Sequence, residues 1–143
     1  MARIHHHILV HLVLLVTRND SLLSNRERRQ INAFILKWHR REKHRLASVS
    51  MEEDHLHVLA KVRPAVPLKL YVRRMKTSLA RWINRRRTRD RRFLWEHDWW
   101  AFSLSHSQGE RERTVINTQR HVHRRRSVES EIAILIRRNG GTD

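Results

Sequence analysis

The chain has 143 residues, 39% of them apolar, with 31 Lys and Arg against 14 Asp and Glu and a formal charge of +17. That length allows one folded domain, residues 1–143, with a real core, and the periodic apolar pattern excludes a disordered chain. The absence of cysteine excludes disulfides and thiolate metal sites, and the apolar run Ile8–Val16 falls short of the ~20 residues of a membrane span. No secretory leader is evident, because Met1-Ala-Arg3 runs into a histidine-rich stretch with no small-residue cleavage site, so a cytoplasmic protein is expected. With a pI near 11.8, nucleic acid is the expected partner, since each phosphate neutralised releases counterions. Most of the positive charge is arginine, which grips phosphate with two donors and stacks on bases.

Ile4–Thr17, rich in Ile, Val and Leu, predicts a first strand broken by Arg18-Asn-Asp20. Ile31, Phe34, Ile35 and Trp38 share one face of a helix. Arg45–Met51 alternates as a second strand, Glu52-Glu-Asp54 is a polar turn, and His55–Val62 is a third strand, so the two form a hairpin. Pro64 and Pro67 mark a loop and a helix start. The helix from about Pro67 to Arg86 carries the stripe Leu68, Val72, Met75, Leu79 and Trp82. A basic connection, Arg85–Arg92, leads to a fourth strand over Trp99–Ser105. Ser107-Gln-Gly-Glu110 has the form of a capping box and is expected to open a helix carrying Val115 and Gln119. A last helix starts near Ser127 and ends at Gly140. The order predicts an α+β, ferredoxin-like antiparallel sheet with two helices on one face and a helical tail.

Residues i and i+2 of a strand point to one face. His55 and His57 therefore present two imidazoles side by side, with Leu56 and Val58 facing the other way. Such a pair suits a divalent ion if a further ligand completes the site. Taken alone the spacing is a weak signal, and it recurs at His5/His7 and His121/His123; exposed strand histidines remain the plainer reading. Arg73, Arg74, Lys76, Arg81, Arg85 and Arg86 recur along one helix and its following loop, and Arg87, Arg89, Arg91 and Arg92 extend them into a phosphate track. Trp95 and Trp99 stand near it, either as stacking platforms for unpaired bases or as core; Trp82, on the apolar stripe, reads as core. Arg124-Arg-Arg126 is a second basic cluster.

Asp54-His-Leu-His-Val-Leu59 resembles the Asp-His-Val-His-Leu-Leu segment of the single-tyrosine HUH transposases, relatives of the REP-associated tyrosine transposases. The likeness extends along the chain. His11-Leu-Val-Leu-Leu-Val-Thr-Arg-Asn19 resembles the family's first strand, and Lys76-Thr-Ser-Leu-Ala-Arg-Trp-Ile-Asn84 its Lys-Gly-x-Ser-Ser-x-Trp-Ile-Asn helix. Phe93-Leu-Trp-Glu-His-Asp-Trp-Trp-Ala-Phe-Ser103 and Ser127-Val-Glu-Ser-Glu-Ile132 match further segments. Val115-Ile-Asn-Thr-Gln-Arg-His-Val-His123 resembles the tyrosine helix, Tyr-Ile-x-Asn-Gln-x-x-His-His.

The resemblance implies binding of hairpin-forming single-stranded DNA at element ends, and metal-dependent cleavage in which a tyrosine becomes joined to the 5′ phosphate. It implies a Mg²⁺ or Mn²⁺ site at His55, His57 and Gln119 and a homodimer, while DNA contacts are expected from the basic residues and their neighbouring tryptophan: Arg18, Arg73, Arg74, Lys76, Arg81, Arg85, Arg91, Arg92 and Trp95. No small-molecule substrate is expected. The chain departs from the pattern where it matters most, because Val115 occupies the tyrosine position and has no nucleophilic atom. Tyr71, the single tyrosine, matches no catalytic position, and Thr118 lacks the reach and acidity of a phenol. His121-Val-His123, Asp98, Trp99 and Trp100 also depart from the family pattern. An impaired transposase, a non-catalytic hairpin-binding regulator and an RNA-binding module all stay open.

Overall fold

The computed structural model describes residues 8–17 and 23–104, together with Arg111, Ile134 and Ile136, which are helical. The elements are β1 (Leu9–Val16), α1 (Asn25–Arg41), β2 (Arg45–Met51), β3 (His55–Lys61), α2 (Leu68–Asn84), a 3₁₀ turn (Arg89–Arg91) and β4 (Trp95–Leu104). The strands form one antiparallel sheet in the order β2-β3-β1-β4. The expected ferredoxin-like α+β arrangement is therefore present. Ile4–His7, the capping box at Ser107–Glu110, and the helices expected around Val115–Gln119 and from Ser127 lie outside the described residues, save for Arg111, Ile134 and Ile136.

β1 is buried on both faces, and its alternation divides two clusters. Val10, Leu12 and Leu14 join Leu56, Val58 and Ala60 of β3 beneath Ile31, Ile35 and Trp38 of α1 and Tyr71, Val72, Met75 and Leu79 of α2. Val13 and Phe102 pack on the other face with Leu15, Trp100 and Ile136. β4 begins at Trp95, four residues before the expected start at Trp99. It is an edge strand whose Glu96, His97 and Asp98 are exposed, so this stretch shows no apolar alternation. Trp95 nevertheless pairs with Val16 across a bulge.

Ser24 opens α1 with a capping box: its hydroxyl accepts from the Glu27 N–H at 3.1 Å, and Glu27 accepts the Ser24 N–H at 3.2 Å. Between the helices lies a buried polar lock. His39 Nδ1–H donates to the Ile35 carbonyl at 2.8 Å, which leaves Nε2 to accept the Tyr71 hydroxyl at 2.5 Å. Trp38 and His44 pack against the same phenol. Burial pushes the Tyr71 phenol far above its ordinary range. Among the described residues no helix is long and apolar enough to cross a membrane.

Burial holds His39 down at about 4, with the bond to Ile35 opposing and His44 assisting. The unfolded chain takes up this proton near 6.5 and the folded chain does not, so stability is whole above about pH 6.5 and falls as pH drops toward 4. We predict a loss of about 3 kcal/mol from this residue across that window. Urea midpoints at pH 7 and pH 4.5 check it: wild type loses more stability on acidification than His39→Asn, and equal losses contradict the account.

Candidate metal centre and nucleic-acid groove

β3 places His55 and His57 on the sheet face away from the helices. The register pairs Leu15 with His55 and Val13 with His57, and directly opposed residues share a face. Both histidines are buried, at 1% and 3% exposure. Their Nε2 atoms stand 3.1 Å apart. Two nitrogens held about 2.1 Å from one ion at a right angle stand about 3.0 Å apart, so the spacing suits neighbouring positions around a single cation. Without a cation, one imidazole must donate to the other.

The far sides of both rings are engaged. His55 Nδ1 meets Asp54 Oδ1 at 2.7 Å, and the carboxylate accepts that proton, leaving the His55 Nε2 lone pair on the inner side. His57 Nδ1 lies 3.0 Å from His11 Nε2. The donor set therefore fits a divalent ion: two neutral imidazoles with converging Nε2 atoms and supported outer nitrogens. Among the described residues no group of three or more His, Cys, Asp or Glu is arranged to hold an ion, so a further ligand has to come from elsewhere. Gln119 and Val115 lie outside the described residues.

The basic track is concave. A groove of about 830 Å³ runs between α2 and β4, with Arg73, Lys76, Arg81, Arg85, Arg92 and Trp95 among its walls. A cleft lined by one sign of charge concentrates phosphate-bearing ligands. Lys69, Arg89, His97 and Trp99 also line it. Lys69 and His97 were not among the sequence candidates, because nothing in their spacing shows that the start of α2 faces the edge of β4. Arg74 turns aside: it lies close enough to His44 to depress that histidine, after burial and Arg63. Arg91 is exposed in the 3₁₀ turn and is not among the lining residues. Arg18 lies outside the described residues.

Several groove groups are fixed in place. Arg87 Nη2 reaches Glu27 Oε2 at 2.8 Å and ties the loop after α2 to the start of α1. Burial pushes the Glu27 carboxyl up, but its bonds from Arg87 and Ser24 outweigh this and hold it below its ordinary value. Arg86 leaves the track to lie over Trp82, 4.2 Å from its ring centre, and Trp82 packs on Phe34 as core. Trp95 is half-buried against the core, and its indole N–H donates to the Lys76 carbonyl at 2.9 Å. Lys76 Nζ bonds the Glu96 carbonyl at 2.9 Å, and burial lowers its ammonium, with Asp98 opposing.

Trp95 and Trp99 belong to the helix-side cluster, while Trp100 and Val13 lie on the histidine side. The groove and the histidine pair therefore occupy opposite faces, with edge strand β4 between them. Tyr71 is fully buried on the helix side, so its phenol cannot reach a phosphate at His55 and His57.

The sequence matches the family model described as "Transposase IS200 like" over residues 4–124, a span holding both the His-x-His segment and Val115. The chain belongs to this IS200-like transposase family. Among solved structures it resembles one from Deinococcus radiodurans R1 described as a candidate transposase, with 14% identity, TM-score 0.63, 83% of this chain and 96% of that chain covered. It also resembles a REP-associated tyrosine transposase bound to a REP hairpin, with 11% identity, TM-score 0.62 and coverage of 86% and 74%. No curated protein sequence matches.

Reversing charge in the groove is expected to weaken DNA binding without touching the histidine pair. For Arg81→Glu with Arg85→Glu, we predict at least a ~10-fold loss of affinity at 0.1 M salt and a salt slope shallower by about two. Fluorescence anisotropy against salt concentration reads both, and unchanged affinity would show that the groove does not carry DNA.

Proposed function

We propose that this chain is an IS200-like transposase that binds hairpin-forming single-stranded DNA, holds Mg²⁺ or Mn²⁺ between His55 and His57, and lacks the ordinary covalent cleavage step. The observation that carries the reading is the 3.1 Å approach of His55 Nε2 and His57 Nε2, each ring supported on its outer nitrogen. Gln119 is proposed as a third ligand, on the family resemblance. A cation held there would polarise a phosphate oxygen and so favour attack at phosphorus. Val115, at the position of the tyrosine, supplies no atom to attack with. The groove between α2 and β4 is proposed to take the phosphates of a hairpin, a reading supported by its arginines and by the hairpin bound to the REP-associated relative. A homodimer is proposed on the family resemblance.

A second reading follows from Val115: a non-catalytic regulator that retains hairpin DNA. Calorimetric titration with Mn²⁺, set beside competition binding with a DNA hairpin, its RNA counterpart and an unpaired DNA strand, separates the possibilities. The transposase reading predicts Mn²⁺ binding by wild type, its loss in His55→Ala, and preference for the DNA hairpin in both proteins. Mn²⁺ binding that survives His55→Ala would overturn the metal assignment. Hairpin binding with no Mn²⁺ binding would favour the regulator, and a preference for RNA would remove the DNA assignment.

A further inference from the structure

His11 is a histidine where packing alone favours an aliphatic residue. It is 1% exposed, and its partners in register are Leu59 on β3 and Phe102 on β4. Phe102 meets it edge-on at 6.3 Å. A polar ring in such a place needs a hydrogen-bonding reason. It lies one pleat from the Val13–His57 pair, so its ring reaches diagonally to His57: the ring centres are 5.2 Å apart and His11 Nε2 is 3.0 Å from His57 Nδ1.

One of those two nitrogens carries the shared proton, and the choice decides whether His57 can bind an ion. If His11 donates, neutral His57 carries its own proton on Nε2, pointing at His55 Nε2 3.1 Å away. The chain of rings then ends at Asp54, and no His57 lone pair is left for a cation. If His57 donates from Nδ1, its Nε2 lone pair faces that of His55, an arrangement that a cation between them stabilises.

We propose that His11 is a positioning residue for the metal pair: its Nε2 accepts the Nδ1–H of His57 and so turns the His57 Nε2 lone pair toward the ion. The proposal rests on the metal reading above. His11 thus does for His57 what Asp54 does for His55, with a neutral acceptor in place of a charged one. Outer-nitrogen partners of this kind influence affinity by 10- to 100-fold.

The test compares wild type, His11→Phe and His11→Gln. Phenylalanine keeps an aromatic ring beside Phe102 and removes the acceptor, while the glutamine amide oxygen can stand near the position of Nε2. Zn²⁺ affinity is measured by calorimetry, and the imidazole ¹⁵N spectrum of Zn²⁺-loaded wild type reports which His57 nitrogen is protonated. The expected result is a loss of Zn²⁺ affinity of about 10- to 100-fold in His11→Phe, recovery in His11→Gln, and a wild-type His57 proton on Nδ1. Equal affinity in a folded His11→Phe, or a wild-type His57 proton on Nε2 with Zn²⁺ bound, would overturn the role of His11 and leave the pair as a metal site. Failure of wild type to bind Zn²⁺ would overturn both readings together. Should His11→Phe not fold, the wild-type spectrum decides alone.

Discussion

The pairing of β1 with β3 is the constraint on which the site depends. Both strands are central and buried on both faces, and their register sets His57 opposite Val13 and His55 opposite Leu15. A slip of one residue would turn Leu56 and Val58 out of the helix-side core and drive both histidines into it, where their rings would lack polar partners. The hydrophobic core beneath α1 and α2 therefore enforces the placement of the two imidazoles. Stability and site geometry are two consequences of one register.

The same sheet separates two kinds of chemistry. On the helix side, arginines and lysines of α2 face the edge of β4 across a groove. On the far side the histidines are buried and supported ring by ring. Strand β4 carries Trp99 toward the first and Trp100 toward the second. Edge strand β4 lies between the basic groove and the pair. The basic groove and the histidine pair are thus built from different residues, and substitutions can address them independently.

Much of this was legible in local pattern. Period-two alternation showed His55 and His57 on one face and Leu56 and Val58 on the other, because strand geometry alone decides that. The second strand, Arg45–Met51, and the apolar face of α1 followed equally from periodicity. The start of β4 did not, since an exposed edge strand has no core to impose alternation on Glu96, His97 and Asp98. A capping signature also lies at Ser24 and Glu27, where it opens α1, and Arg87 extends it across a gap in sequence that no spacing rule spans. The bond between His39 and Tyr71 and the approach of His11 to His57 depend on tertiary pairing. Distant residues become neighbours only once strand order and helix packing are known. The histidine pair was readable as a motif, whereas the approach of His11 to it required the register.

The central claim is that the site is built for phosphoryl transfer on DNA and lacks only its nucleophile. The most direct test is a denaturing gel of labelled hairpin-bearing single-stranded DNA incubated with Mn²⁺ and either wild type or Val115→Tyr. A protein–DNA adduct with Val115→Tyr alone, abolished by adding His55→Ala, is the predicted result. An adduct with the wild-type protein, or none with Val115→Tyr in a protein that binds both Mn²⁺ and the hairpin, would contradict the account.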